Sequence, residues 1–270
     1  MFLYLNPSSL RFFQLDFRNL ESMQSYNLPR LTQSFYGFKH SVKKLLFKCL
    51  TQTLESKFSD NLYESDFAKI RHRLLMSCNS ILHIGASTGQ EAEEYASLNL
   101  RVLWFECLPS VAFKLRNHIS NFANQNSIEA LLGEFEGKEV EIFLASNNYM
   151  SSSIFKFDTK YGSNSQVEHQ GSLSLRMKRL ENIESHFLDQ HFNYWVIDTQ
   201  GSELGILKGA GNLLQNCNVL EIECSNYSVY DGAPLYEEIE AFLGEVGFVP
   251  LLKVPIRFHG NVIFVRSRGA

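Results

Sequence analysis

From Ile81 onward, short apolar runs alternate with segments of helical spacing, and the chain closes on two strands with no helix between them. That ending constrains the fold more than any other feature. Strands joined through helices pair in parallel, and the helices cover both faces of the sheet. Two consecutive strands whose link is too short for a crossover must instead be antiparallel. Here the final strands are expected over 248–253 and 262–266, joined by a turn containing Gly260 and Asn261. The expected fold is α/β, a mostly parallel, doubly wound sheet ending in an antiparallel hairpin.

The elements follow from periodicity and punctuation. A first strand is expected over 81–85. A helix over 87–98 follows, with Ser87 and Gln90 at the spacing of a capping box. Arg101–Glu106 reads as the second strand. Pro109 then opens a helix at a position where its missing N–H costs little, with Val111, Leu115 and Ile119 inward. A third strand is expected over 128–132 and a further one over 140–145. Residues 146–172 are polar and rich in Ser, Asn and Gly, which reads as a long loop over a site. Strands over 173–177, 194–198 and 219–224 follow, with a helix after Ser202. Pro234 opens a last helix, with Leu235, Ile239, Phe242, Leu243 and Val246 inward, and Gly247 ends it.

Residues 1–75 read differently, as a helical N-terminal extension ahead of a main domain over 76–270. Helices are expected over 38–56, where Val42, Leu45, Leu46 and Cys49 share a face, and over 64–77, where Phe67, Ile70, Leu74 and Leu75 do. Lys43, Lys44 and Lys48 make a basic face on the first of these, expected to be solvated.

Composition removes several classes of function. A net charge of -4 supplies no field to draw in nucleic acid. Five cysteines, odd in number and without CxxC spacing, suggest neither a disulfide framework nor a zinc site. The opening Met-Phe-Leu-Tyr-Leu lacks a basic start and is interrupted by Pro7, which makes a poor signal peptide, and no apolar run approaches the roughly 20 residues that span a bilayer, so a cytoplasmic protein is expected. No pattern sets an oligomeric state.

The first strand–helix turn, His83-Ile84-Gly85-Ala86-Ser87-Thr88-Gly89, is a candidate cofactor site. Its glycines allow a tight turn and close approach, and amides at a helix start suit an anionic group. The spacing is GxxxG rather than the three-glycine pattern that cradles a pyrophosphate. Glu106 ends the second strand about 20 residues on, where a carboxylate accepts bonds from ribose hydroxyls. The turn after the third strand adds Leu132, Gly133 and Glu134 as candidates by position.

The run Val196-Ile197-Asp198-Thr199-Gln200-Gly201-Ser202-Glu203, with Leu207-Lys208-Gly209 after it, resembles the FkbM family of O-methyltransferases. Glu221-Ile222-Glu223-Cys224, Tyr230-Asp231-Gly232-Ala233-Pro234-Leu235, Gly85-Ala86-Ser87-Thr88-Gly89-Gln90 and Phe105-Glu106-Cys107-Leu108-Pro109 are similar to it as well, over about residues 80–250. The resemblance implies a Rossmann-like class I methyltransferase fold and S-adenosyl-L-methionine as cofactor. It also implies a hydroxyl acceptor on a sugar or natural-product-like small molecule or glycan. His83 stands where similar members carry an acid for the cofactor's amino group.

Methyl transfer needs an acceptor oxygen held in line and a group to take its proton. In sheets of this kind ligands bind beyond the carboxyl ends of the strands. Asp198 and Glu223 end two of the later strands and are the candidate catalytic carboxylates. Ser152, Ser153, Gln200, Glu203 and Tyr230 are candidate acceptor contacts, and His169 is a candidate base in the long loop. No ligand cluster points to a metal. Two other readings stay open: a degenerate Rossmann-like binding protein, favoured by His83, and a nicotinamide-dependent oxidoreductase, which shares the glycine turn and Glu106.

Overall fold

A computed structural model describes residues 63–159, 166–183, 191–255 and 257–267, all within one compact unit spanning 43–270. The helix expected over 38–56, with its lysine face, lies outside the described residues.

A seven-stranded sheet forms the centre. Its strands are β1 (Ser80–Ile84), β2 (Arg101–Glu106), β3 (Gln125–Glu129), β7 (Tyr194–Ile197), β8 (Val219–Ser225), β9 (Phe248–Pro250) and β10 (His259–Arg266), in the order β3-β2-β1-β7-β8-β10-β9. The first five run parallel. β10 is antiparallel to both β8 and β9. All five residues of β1 are buried, because a strand covered on both faces reads as a continuous apolar run rather than an alternating one. One core layer gathers Leu82, Ile84, Phe105, Ile197, Ile222 and Phe264. The opposite layer gathers Ile81, Val102, Trp104, Val196 and Val265 with Ile70, Leu74 and Leu75 of the helix α1 (Tyr63–Ser77).

α1 is also fixed by charge. Arg71 Nε lies 3.1 Å from both oxygens of Glu221 on β8, and its Nη1 lies 2.8 Å from Glu94. Glu221 is 3% exposed and also accepts the Tyr194 hydroxyl at 2.7 Å. A buried carboxylate satisfied on every side in this way belongs to the scaffold.

Several expectations are corrected. The helix after the first turn is only α2 (Ala92–Ser97), and the capping box at Ser87 and Gln90 is absent. The amides of Gly85 and Ala86 instead bond Phe105 O, and that of Ser87 bonds Glu106. The chain is thereby tied to the end of β2 and held in turns, with Ser87 at φ 47°, before the helix starts. The third strand divides. Ala130 N–H bonds Glu106 O, and β4 (Leu131–Leu132) then leaves for a second sheet, β4-β6-β5, with β5 (Glu139–Ala145) and β6 (His169–Lys178). β6 is twice the expected length because its first residues are polar and largely exposed, so no apolar alternation marks them. β9 ends at Pro250, and Gly260 and Asn261 lie inside β10 rather than in the connecting turn. The helix α3 (Pro109–Ile119) buries Val111, Leu115 and Ile119 as expected. α4 (Glu203–Gly209) and α5 (Tyr236–Glu245) complete the layers.

Candidate active site

The carboxyl ends of β1, β2, β7 and β8 share one edge of the sheet, where two cavities open. The larger, about 670 Å³ with the space open to solvent included, is lined by Gly85, Ser87, Glu106, Leu132, Asp198 and Gln200 among others. The smaller, about 350 Å³, is lined by Glu203, Glu223, Tyr227, Tyr230, Pro234 and His259 among others.

The floor of the larger cavity depends on Gly85. Its φ is +84°, and a Cβ placed there would stand 1.7 Å from the Asp198 carbonyl oxygen. Only glycine lets β1 turn while β7 ends beside it. Glu106 is 8% exposed; one oxygen accepts Ser87 N–H and the other Leu108 N–H, each at 2.9 Å. Burial raises its pKa, against those N–H groups. Glu106 lines the larger cavity, where a carboxylate is the acceptor that a ribose diol requires. Leu131, Leu132 and Ile142 supply an apolar wall farther on, suited to a flat heterocycle. These residues fit an adenosyl group.

Between the cavities stands a hydrogen-bonded cluster. Gln200 Nε2 donates to Asp198 Oδ1 at 2.8 Å and to Glu223 Oε2 at 2.7 Å. Gln200 Oε1 accepts the Tyr230 hydroxyl at 2.5 Å. The two carboxylates converge because β7 and β8 are parallel neighbours. Burial raises the Glu223 pKa well above the ordinary range, and Asp198 and Glu203 add to it. His259 Nε2 stands 3.7 Å from Glu223 Oε1, and burial lowers its pKa although Asp198 opposes this.

Glu203, which also lines the smaller cavity, braces the loop. One oxygen accepts Thr199 N–H at 2.9 Å, the Thr199 hydroxyl at 3.1 Å and Gly201 N–H at 3.1 Å. At 3% exposure, burial pushes its pKa up to about 7 against these donors.

Other candidates sit elsewhere. His83 is 5% exposed, stacks on Trp104 at 4.6 Å and shares a 3.3 Å hydrogen bond with the Tyr95 hydroxyl. It does not line the larger cavity, and burial, with Arg71, lowers its pKa to about 3. Ala86 and Gly89 are likewise off the lining; Gly89 packs against Leu115. Gly133 lies against Met177, and Glu134 Oε2 is 3.9 Å from Lys208 Nζ. Ser152 and Ser153 line the larger cavity, and Ser153 Oγ donates to Gln200 O at 2.6 Å. His169 belongs to β6, where it stacks on Phe157 at 4.3 Å and accepts that residue's N–H. Thr199, Tyr149 and His259 were not expected. The first two sit on loops without periodicity, and His259 becomes visible only once β10 is seen to begin there, opposite Ser225. Among the described residues, no group of three His, Cys, Asp or Glu is placed to hold a metal, and no helix is long and apolar enough to cross a membrane.

Comparison with known proteins adds the family. Among solved structures the chain is similar to an rRNA methylase from Streptococcus thermophilus, at 15% identity and TM-score 0.40, covering 74% of this chain and 95% of that one. It is similar as well to the magnesium protoporphyrin IX methyltransferase from Synechocystis PCC 6803 with bound S-adenosylhomocysteine, at 8% identity and TM-score 0.43, covering 81% and 93%. No curated protein matches the chain. The sequence profile described as the methyltransferase FkbM domain matches residues 83–250, a span that takes in the lining of the larger cavity, the lining of the smaller one except His259, and the cluster between them. The chain belongs to the FkbM methyltransferase family, a class I methyltransferase fold that uses S-adenosyl-L-methionine.

Proposed function

We propose that this enzyme transfers the methyl group to a hydroxyl of a sugar or natural-product-like acceptor, a small molecule or glycan, and that Asp198 is the group that orients the hydroxyl and takes its proton. The observation that carries this reading is the convergence of Asp198, on the larger cavity, and Glu223, on the smaller, upon the one amide of Gln200. The cofactor belongs in the larger cavity, with its ribose on Glu106; when bound, it supplies a methyl carbon made electrophilic by sulfonium. Asp198 would hold the acceptor hydroxyl in line with that carbon and take the hydroxyl proton as the oxygen is methylated. Burial keeps Glu223 readily protonated, so it serves as a second hydrogen-bonding partner. Tyr227 and Tyr230 line the smaller cavity, and aromatic faces beside carboxylates suit a polyhydroxylated ring.

The net charge of -4 and the acidic cluster argue against a polyanionic acceptor. Incubation with radiolabelled S-adenosylmethionine tests this, with a panel of methyl glycosides and polyketide alcohols in one arm and ribosomal RNA in the other. Label on a hydroxyl of the first panel is expected. Label on the RNA would replace this acceptor class with a nucleic acid.

A further inference from the structure

The position between Asp198 and Glu223, which the proposed reaction reserves for the acceptor hydroxyl, is filled by the chain itself. Gln200 Nε2 donates to both carboxylates, and Gln200 Oε1 is held by Tyr230. The loop that carries Gln200 is fixed independently of its side chain. Glu203 binds the amides of Thr199 and Gly201, and Ser153 binds the Gln200 carbonyl. Gln200 itself has φ +59°, a left-handed conformation that L side chains rarely adopt. The scaffold thus holds an uncommon backbone geometry that aims this side chain between the carboxylates. The polar contacts found for the side chain are hydrogen bonds, which a hydroxyl and water can replace one for one. Its backbone need not move for the amide to swing aside.

We propose that the Gln200 side chain is a stopper: its amide stands where the acceptor oxygen must stand, keeps water out of the junction between the cavities, and is displaced by the acceptor. The proposal rests on the assignment of Asp198 and Glu223 to methyl transfer. The amide imitates the acceptor's donor group, yet it carries no oxygen that can be methylated in that place. Without the stopper, water reaches the same position. Its oxygen then takes the methyl carbon, its proton goes to Asp198, and the products are methanol and S-adenosylhomocysteine.

The test needs no knowledge of the natural acceptor. Purified wild type, Gln200→Ala and Tyr230→Phe are incubated with S-adenosylmethionine in 18O-water, and methanol and S-adenosylhomocysteine are measured. Gln200→Ala is expected to release 18O-methanol about tenfold faster than wild type or more, with Tyr230→Phe between the two. Adding ethylene glycol to Gln200→Ala should yield 2-methoxyethanol, and Asp198→Asn in that background should remove both products. Calorimetry with S-adenosylhomocysteine checks that each variant still folds and binds. Binding intact without faster release from Gln200→Ala overturns the stopper. Release that persists with Asp198→Asn overturns it too, because the methyl is then leaving elsewhere. A wild type that binds no S-adenosylhomocysteine counts instead against the active-enzyme reading on which the stopper rests, and so overturns both.

Discussion

Glu221 and Glu223 stand two residues apart on β8, on the same face of the sheet, and their surroundings differ completely. Glu221 is enclosed by Arg71, Tyr194 and Asn261, each of them part of the packed fold. Glu223 meets the amide of Gln200 and the ring of His259 at the edge of a cavity. A carboxylate matched by a guanidinium and fixed donors is spent on holding α1 to the sheet. One whose partners are a loop side chain and a half-exposed imidazole is available for chemistry. The position along the strand decides between these roles: only the carboxyl end of β8 reaches the edge where ligands enter.

The largest effect that tests this contrast is on stability. Arg71→Ala leaves Glu221 buried without its cation and should cost about 3–5 kcal/mol, read by denaturant unfolding. Glu223→Gln should cost far less. An equal loss from both variants would erase the distinction. On activity the order reverses. Asp198→Asn should lower the methyl-transfer rate by about 10²- to 10⁴-fold, the range for loss of a general base, and Glu223→Gln should lower it by less, with folding intact in each. Wild-type transfer rates in Asp198→Asn would remove Asp198 from the mechanism.

A smaller effect concerns Glu203, which shares the loop but not the role. Its folded pKa is raised from the ordinary 4.5 to about 7, first by burial. Its stabilising contribution is therefore complete below about pH 4.5 and fades as pH rises through 7, by about 3 kcal/mol in all if no other group responds. Unfolding measured from pH 5 to 8 should show this decline in wild type and lack it in Glu203→Gln. A slope that persists in the variant would assign the titration to another group.

The sequence made the sheet legible where apolar runs are continuous, as in β1, β2, β7 and β8. It also made the antiparallel ending legible, because a link that short cannot cross over. It failed where polar competition decides. The Ser87 amide that a capping box would have used is held by Glu106, and the polar half of β6 carries no pattern to read. The same holds in the site. Glu106, Asp198 and Glu223 were visible as strand-end acids. The burial of His83 beneath Trp104 depends on packing across the sheet, and the meeting of Gln200 with two carboxylates depends on a left-handed loop residue. Neither has a sequence period.

The central claim is that the larger cavity holds the cofactor on Glu106 while the carboxylate pair of β7 and β8 serves the acceptor. Calorimetric titration of S-adenosylhomocysteine into wild type, Glu106→Ala and Glu223→Gln tests it most directly. The account predicts saturable binding to wild type, weakened by about 1–3 kcal/mol in Glu106→Ala through the lost hydrogen bonds, and nearly unchanged in Glu223→Gln. Absence of binding to the folded wild type, or binding lost in Glu223→Gln and kept in Glu106→Ala, would contradict it.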